Sequence, residues 1–175
     1  MKKLLFSTLL LSLIVLANDH SYFTKKSKSG VKAVENKLYL KECGSCHFAF
    51  QPGLLPERSW TKMLSNLADH FGSDAALEPE DHKALLVYLT DNAANNATEY
   101  KRSRKILKSI ATDTIPDKIT ETPYFVREHR RIPKKVIMQE EVGTLSNCTA
   151  CHTTASKGVY SERTIKIPNY GRWDD

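Results

Sequence analysis

The sequence predicts an all-α fold made of two small halves, and three observations carry that prediction. No alternating apolar and polar run of strand length appears. Apolar residues recur instead at spacings of three and four, as in Trp60, Met63, Leu64, Leu67 and Phe71. The four cysteines fall in two copies of one pattern: "CGSCH", Cys43 to His47, and "CTACH", Cys148 to His152. One copy lies in each half.

The elements follow in order. "MKK" and then "LLFSTLLLSLIVLA" read as the basic and apolar regions of a secretory signal peptide, residues 1–17. Val15 and Ala17 suit a signal peptidase. The run is short for an uncleaved anchor, which needs about 20 apolar residues. Cleavage leaves a mature chain from Asn18 with no apolar run long enough to span a membrane. Residues 18–32 are polar and basic and read as a loose arm, with a solvated His20.

The first half covers residues 33–97. A helix from about Val34 is expected to carry the first motif. "QPGLLPE" is a loop. A second helix runs from an N-cap at Ser59 to a stop at Gly72, burying the apolar face named above. A third begins after Pro79 and buries Leu85, Leu86 and Leu89. "NAANNAT" then reads as a linker-like break. Residues 98–121 form a basic helix, anchored by Ile106, Leu107 and Ile110, and an extended connection. Residues 122–175 form the second half and a tail, with Thr122 and Pro123 starting a helix and Pro133 stopping it.

Composition narrows the function. Hydrophobic content of 41% and charged content of 26% exclude collagen, coiled coil and wholesale disorder. Losing Lys2 and Lys3 lowers the net charge from +6 to +4. That mild excess, with no nucleic-acid module, argues against nucleic acid as a partner. Lys101, Arg102, Arg104, Lys105 and Lys108 read first as a solvated helix face. They also suit steering of an acidic redox partner. Arg58 and Arg127 are candidates to pair with anionic propionates.

The cysteines admit three readings. Two C-x-x-C disulfides would suit an oxidising compartment, but each closes a tiny loop and stabilises little. A zinc tetrathiolate would need the pairs far closer than they are, at roughly 15–20 residues. Both readings leave His47 and His152 idle. The third is covalent attachment of two c-type haems. The paired thiols add across the porphyrin vinyl groups, and the adjacent imidazole becomes the proximal iron ligand. It uses every cysteine and both histidines, and it needs export. The halves would then be haem-centred, since each is too small for protein burial alone. A haem-free chain is expected to fold poorly.

Each iron needs a decision at its sixth position. Near the first motif the candidates are His70, Met63 and His82. His70 lies on the edge of the second helix's apolar face, and His82 falls on the face of the third. "LLVYL" looks like the last helix of a class I cytochrome c domain, where the distal ligand precedes that helix, and this favours His70. His82 then has a surface or packing role. No histidine or methionine follows His152, so its distal partner lies upstream. His129 is favoured, on a helix with definable ends, over Met138. Whether His70 and His129 serve their own halves or cross over stays open in the sequence.

"ECGSCHFAFQPGLLPERSW", "NLADHFG", "ITETPYFVREH" and "VGTLSNCTACH" together resemble the bacterial dihaem cytochrome c family. The resemblance covers roughly Leu38 to Pro168. It implies a class I cytochrome c-like first half, a less regular second haem half and bis-histidine ligation of both irons. Carried over, Cys43, Cys46, His47 and His70 serve one haem, and Cys148, Cys151, His152 and His129 the other. It implies low-potential electron transfer in the periplasm. It also implies redox partners such as a small oxygen-binding haem protein or a membrane cytochrome b. Two rivals stand beside this electron carrier: a dihaem peroxidase or reductase with one openable haem, and a subunit docked on a membrane cytochrome.

Overall fold

The computed structural model describes residues 27–170. The signal segment, His20 and the last five residues lie outside the described residues. Within them the chain has seven α-helices, five short 3-10 turns, three isolated β-bridges and no strand. The all-α prediction therefore holds.

Three helices build the first half: α1 (Lys37–Glu42), α2 (Glu57–Leu64) and α3 (Pro79–Asp91). Asn36 caps α1, its side chain accepting the Tyr39 N–H at 2.9 Å. Pro79 opens α3 at its first position, with Glu80 and Asp81 beside the positive end of the helix dipole. Trp60 and Leu64 of α2 pack with Leu85 and Leu89 of α3, Tyr39 of α1, and Ala49, Leu55 and Ala93. Each such leucine stabilises the fold by about 1.5–3 kcal/mol relative to exposure. His82 ties the two helices, its Nε2 bonding the Leu64 carbonyl at 2.8 Å.

The expected helix from Ser59 to Gly72 is shorter and differently bounded. It starts after Pro56, and Ser59 lies buried inside it. It ends at Leu64 because Ser65 Oγ turns back to the Lys62 carbonyl at 2.7 Å and Asn66 leaves helical geometry. A 3-10 turn, Leu67–Asp69, follows. Phe71, placed on the buried face by periodicity, is 55% exposed as a result.

Helix α4 (Lys101–Ser109) follows the first half, and the second half begins on α5 (Pro123–His129). Thr122 caps α5 as expected, accepting the Phe125 N–H at 3.3 Å, with Pro123 at the first position. Single turns α6 (Lys134–Ile137) and α7 (Cys148–Cys151) follow. Pro133 caps α6. Ile106 and Ile110 of α4 bury with Tyr124 of α5, with Val31 from the arm and with Leu54 from the first half.

The halves interlock more closely than the sequence suggests. The described end of the arm, read as loose, is stitched into the body. Lys28 N–H donates to the Glu99 carbonyl at 2.9 Å, Arg102 N–H to Gly30 at 3.1 Å, and Val31 N–H to Gly158 at 2.9 Å. Gly30 and Gly158 both take left-handed φ, and a Cβ on Gly30 would collide with the Gly158 carbonyl. Ala93, Ala94 and Ala97 are buried where the sequence suggested a break. Gln51, fully buried, donates from Nε2 to the Ala155 carbonyl at 2.6 Å.

Candidate functional site

Helix α1 delivers the first motif but does not carry it. It ends at Glu42, and Cys43 is its C-cap, donating its N–H to Tyr39 at 3.0 Å. Ser45 Oγ donates to the Glu42 carbonyl at 3.0 Å and closes the helix end. Cys46 and His47 therefore lie in turns, a correction to the expectation of a helical motif. His47 Nδ1 lies 2.8 Å from the Phe48 carbonyl. A carbonyl only accepts, so Nδ1 carries the proton and Nε2 keeps its lone pair for a metal.

A tight turn presents His70. Its N–H donates to the Ser73 carbonyl at 2.8 Å, and Ser73 returns a bond at 3.2 Å. Phe71 and Gly72 are both left-handed, φ 55 and 87, which for phenylalanine costs about 1–2 kcal/mol. The turn sets the His70 ring against that of His47, with centroids 6.1 Å apart and planes 21° apart.

Helix α7 is one turn holding Cys148 and Cys151, with His152 as its C-cap. The His152 N–H donates to the Cys148 carbonyl at 2.8 Å. His129 ends α5. Its Nδ1 bonds the Phe125 carbonyl at 2.8 Å, again freeing Nε2. The Phe125 ring stacks on the imidazole at 3.8 Å and 11°. The rings of His129 and His152 also lie 6.1 Å apart, at 75°. His152 Nδ1 is buried without a partner.

Both pairs fit a metal held between two imidazoles. A metal–imidazole bond is about 2.0 Å, so two bonds plus a ring radius at each end span about 6 Å. The protonation states fit as well, since only a neutral imidazole ligates. Burial, and then the charge of His47, hold His70 below its ordinary range. Burial does the same for His129, partly opposed by the Phe125 carbonyl and assisted by Arg102. Burial, His129 and Arg102 push His152 down to about 4.

The rival cysteine readings find no support. All four cysteines are unpaired. Among the described residues no three His, Cys, Asp or Glu side chains gather as a metal site. Burial pushes the Cys43 and Cys148 thiols up to about 11.

Two of the other distal candidates sit elsewhere, and Met63 does not. His82 is engaged with Leu64. Met138 is 67% exposed. Met63 packs against the first core and borders the same cavity as His70, about 160 Å³ in volume.

Three arginines have defined partners, and for Arg102 these change the reading. Arg58 caps loop carbonyls, from Nε to Thr114 at 2.7 Å and from Nη2 to Ala111 at 3.0 Å. Arg127 pairs with Glu128 at 3.1 Å. Arg102 is not on a solvated face: it donates to the Tyr124 hydroxyl at 2.8 Å and the Tyr160 carbonyl at 2.7 Å.

Sequence reasoning missed Arg102, Tyr160, Gln51 and Phe125. Only Phe125 left a signal, standing four residues before His129 on one helical face.

Comparison with known proteins agrees with this geometry. The family model described as dihaem cytochrome c matches residues 39–160. A diheme cytochrome of type c from Shewanella baltica is 37% identical, with a TM-score of 0.66 over 79% of this chain and 98% of its own. A diheme cytochrome c from Rhodobacter sphaeroides is 34% identical, with a TM-score of 0.66 over 74% of this chain and 100% of its own. No curated protein matches the chain. With two C-x-x-C-H motifs, each facing a second imidazole, this chain belongs to the dihaem cytochrome c family and carries two c-type haems for electron transfer.

Proposed function

We propose that the protein is a periplasmic relay that passes electrons between redox partners at low potential. The observation that supports it most is the pair of imidazole–imidazole separations, each 6.1 Å and each within one half. On this reading Cys43 and Cys46 hold one haem, ligated by His47 and His70. Cys148 and Cys151 hold the other, ligated by His152 and His129. Bound haem supplies reversible one-electron chemistry.

The chain's own residues set the terms of that chemistry. The Phe48 and Phe125 carbonyls fix the tautomers of His47 and His129. Two imidazoles, rather than imidazole and methionine, lower the reduction potential. Stacking on Phe125 restrains His129 from leaving. These features favour an electron carrier over a peroxidase-type enzyme, which needs an open iron.

Residues 1–17 direct the chain out of the cytoplasm. Among the described residues no helix is long and apolar enough to cross a membrane. Lys101, Arg104, Lys105 and Lys108 on α4 favour a partner with an acidic face. The partner classes proposed are a small oxygen-binding haem protein and a membrane cytochrome b.

Carbon monoxide added to the reduced protein tests the closed coordination. The reading predicts no fast spectral change at either haem. Rapid binding at one haem would favour the enzyme instead.

A further inference from the structure

The two sites differ in one respect that their ligand sets do not show: a cation is built into the second and not into the first. Arg102 lies between two tyrosine rings, its guanidinium carbon 5.6 Å from the centroid of Tyr124 and 5.6 Å from that of Tyr160. Nη1 donates to the Tyr124 hydroxyl at 2.8 Å and Nη2 to the Tyr160 carbonyl at 2.7 Å. Nε is buried with no partner. Every acceptor it meets is neutral, and Arg102 makes no ion pair among the described residues. The Tyr160 ring in turn lies 5.2 Å from that of His152.

Three other cations that face aromatic rings at these sites are paired or screened. Arg127 is exposed and paired with Glu128. Lys105, over the Tyr124 ring at 5.9 Å, is exposed. At the first site Lys118 lies 5.2 Å over the Phe71 ring, but it is exposed and paired with Glu121 at 3.4 Å. Exposed charges are screened by salt, and partly buried ones much less.

We propose that Arg102 sets the two haems at different potentials, making the haem at Cys148 and Cys151 the one that holds the electron. Reduction adds one negative charge to a site. A fixed, unneutralised cation nearby favours that charge. Passage from the first site to the second oxidises the first by one electron and reduces the second by one, with no proton moved. Arg102 is a positioning residue here, acting through its charge rather than by contact with iron. The inference rests on the bis-histidine reading, because equal ligand sets leave the surroundings to separate the potentials.

The test is a potentiometric titration of the two-haem protein followed by NMR. The second haem is recognised by its proximity to the Tyr160 ring protons. In the wild type the first electron is expected at the Cys148–Cys151 haem. Arg102→Gln is expected to move its partition tenfold or more toward the other haem, which is 59 mV for one electron. Arg102→Lys is expected to keep the wild-type order. A wild-type electron resting on the Cys43–Cys46 haem overturns the proposal, whether or not the variants load both haems. So does an Arg102→Gln protein whose two midpoints stay put or move together, or an Arg102→Lys protein that behaves like it. Failure of the ligand reading shows separately, as a high-spin signal in the oxidised wild type.

Discussion

The Tyr160 hydroxyl donates to Gln51 Oε1 at 2.5 Å, joining residues 109 positions apart. Gln51 is fully buried, and its amide nitrogen serves the Ala155 carbonyl. One side chain of the first half thus satisfies two groups of the second. The loop after His47 and the segment after His152 are held together by it.

Gln51→Leu strands the Tyr160 hydroxyl and removes one of two donors from the Ala155 carbonyl, which keeps the Gly158 N–H at 2.8 Å. Each buried unpaired group costs about 1–3 kcal/mol. The denaturation midpoint of the two-haem protein is expected to fall accordingly, with the haem spectra unchanged under native conditions. An unchanged midpoint would show that water replaces the lost partners.

His129→Met is expected to raise the potential of one haem by on the order of 100 mV, within the roughly 0.8 V that axial ligands span. His70→Met should do the same to the other haem. Spectroelectrochemistry reads both midpoints. A rise at the haem of the opposite half from either single change would contradict ligation within each half.

Acid should weaken the fold in a defined window. His152 has a folded pKa of about 4 against an ordinary 6.5. Between those values the unfolded chain binds the proton and the folded chain does not, so stability rises with pH. The contribution is complete above about 6.5 and lost as pH falls toward 4. Burial shifts His70 and His129 in the same direction, and an iron bond to each imidazole adds to it. Denaturant midpoints measured from pH 7 to 4.5 should fall, mostly below 6.5; a flat profile would show the imidazoles are not held neutral.

Export and double attachment are read by intact mass. Expressed with haem-attachment machinery, the mature protein should weigh the chain from Asn18 plus two haems. The chain expressed without haem should show poor helical content by circular dichroism. The buried apolar side chains of residues 134–170 are Val136, Val142, Ala155 and Ile167, too few for a core of their own.

Much of this was legible in the sequence, and the exceptions share a cause. The α3 start at Pro79, the α5 cap at Thr122 and the core leucines Leu85 and Leu89 depend on local chemistry and periodicity. So do the two motifs. Periodicity extends the second helix too far, because the Ser65 hydroxyl bonds back to the Lys62 carbonyl and Asn66 leaves helical backbone geometry, and no apolar pattern records either. Periodicity put Phe71 on a buried face, whereas backbone geometry turned it outward. Arg102 stood in a basic run, and only the distant Tyr124 and Tyr160 distinguish it from its solvated neighbours. Gln51 and Gly30 are likewise defined by partners more than a hundred residues away.

The most direct measurement is electron paramagnetic resonance of the oxidised protein, with near-infrared magnetic circular dichroism to identify the axial ligands. The account predicts two low-spin irons, both with two imidazoles, integrating to two per chain. One high-spin iron, or one histidine–methionine signature, would contradict it.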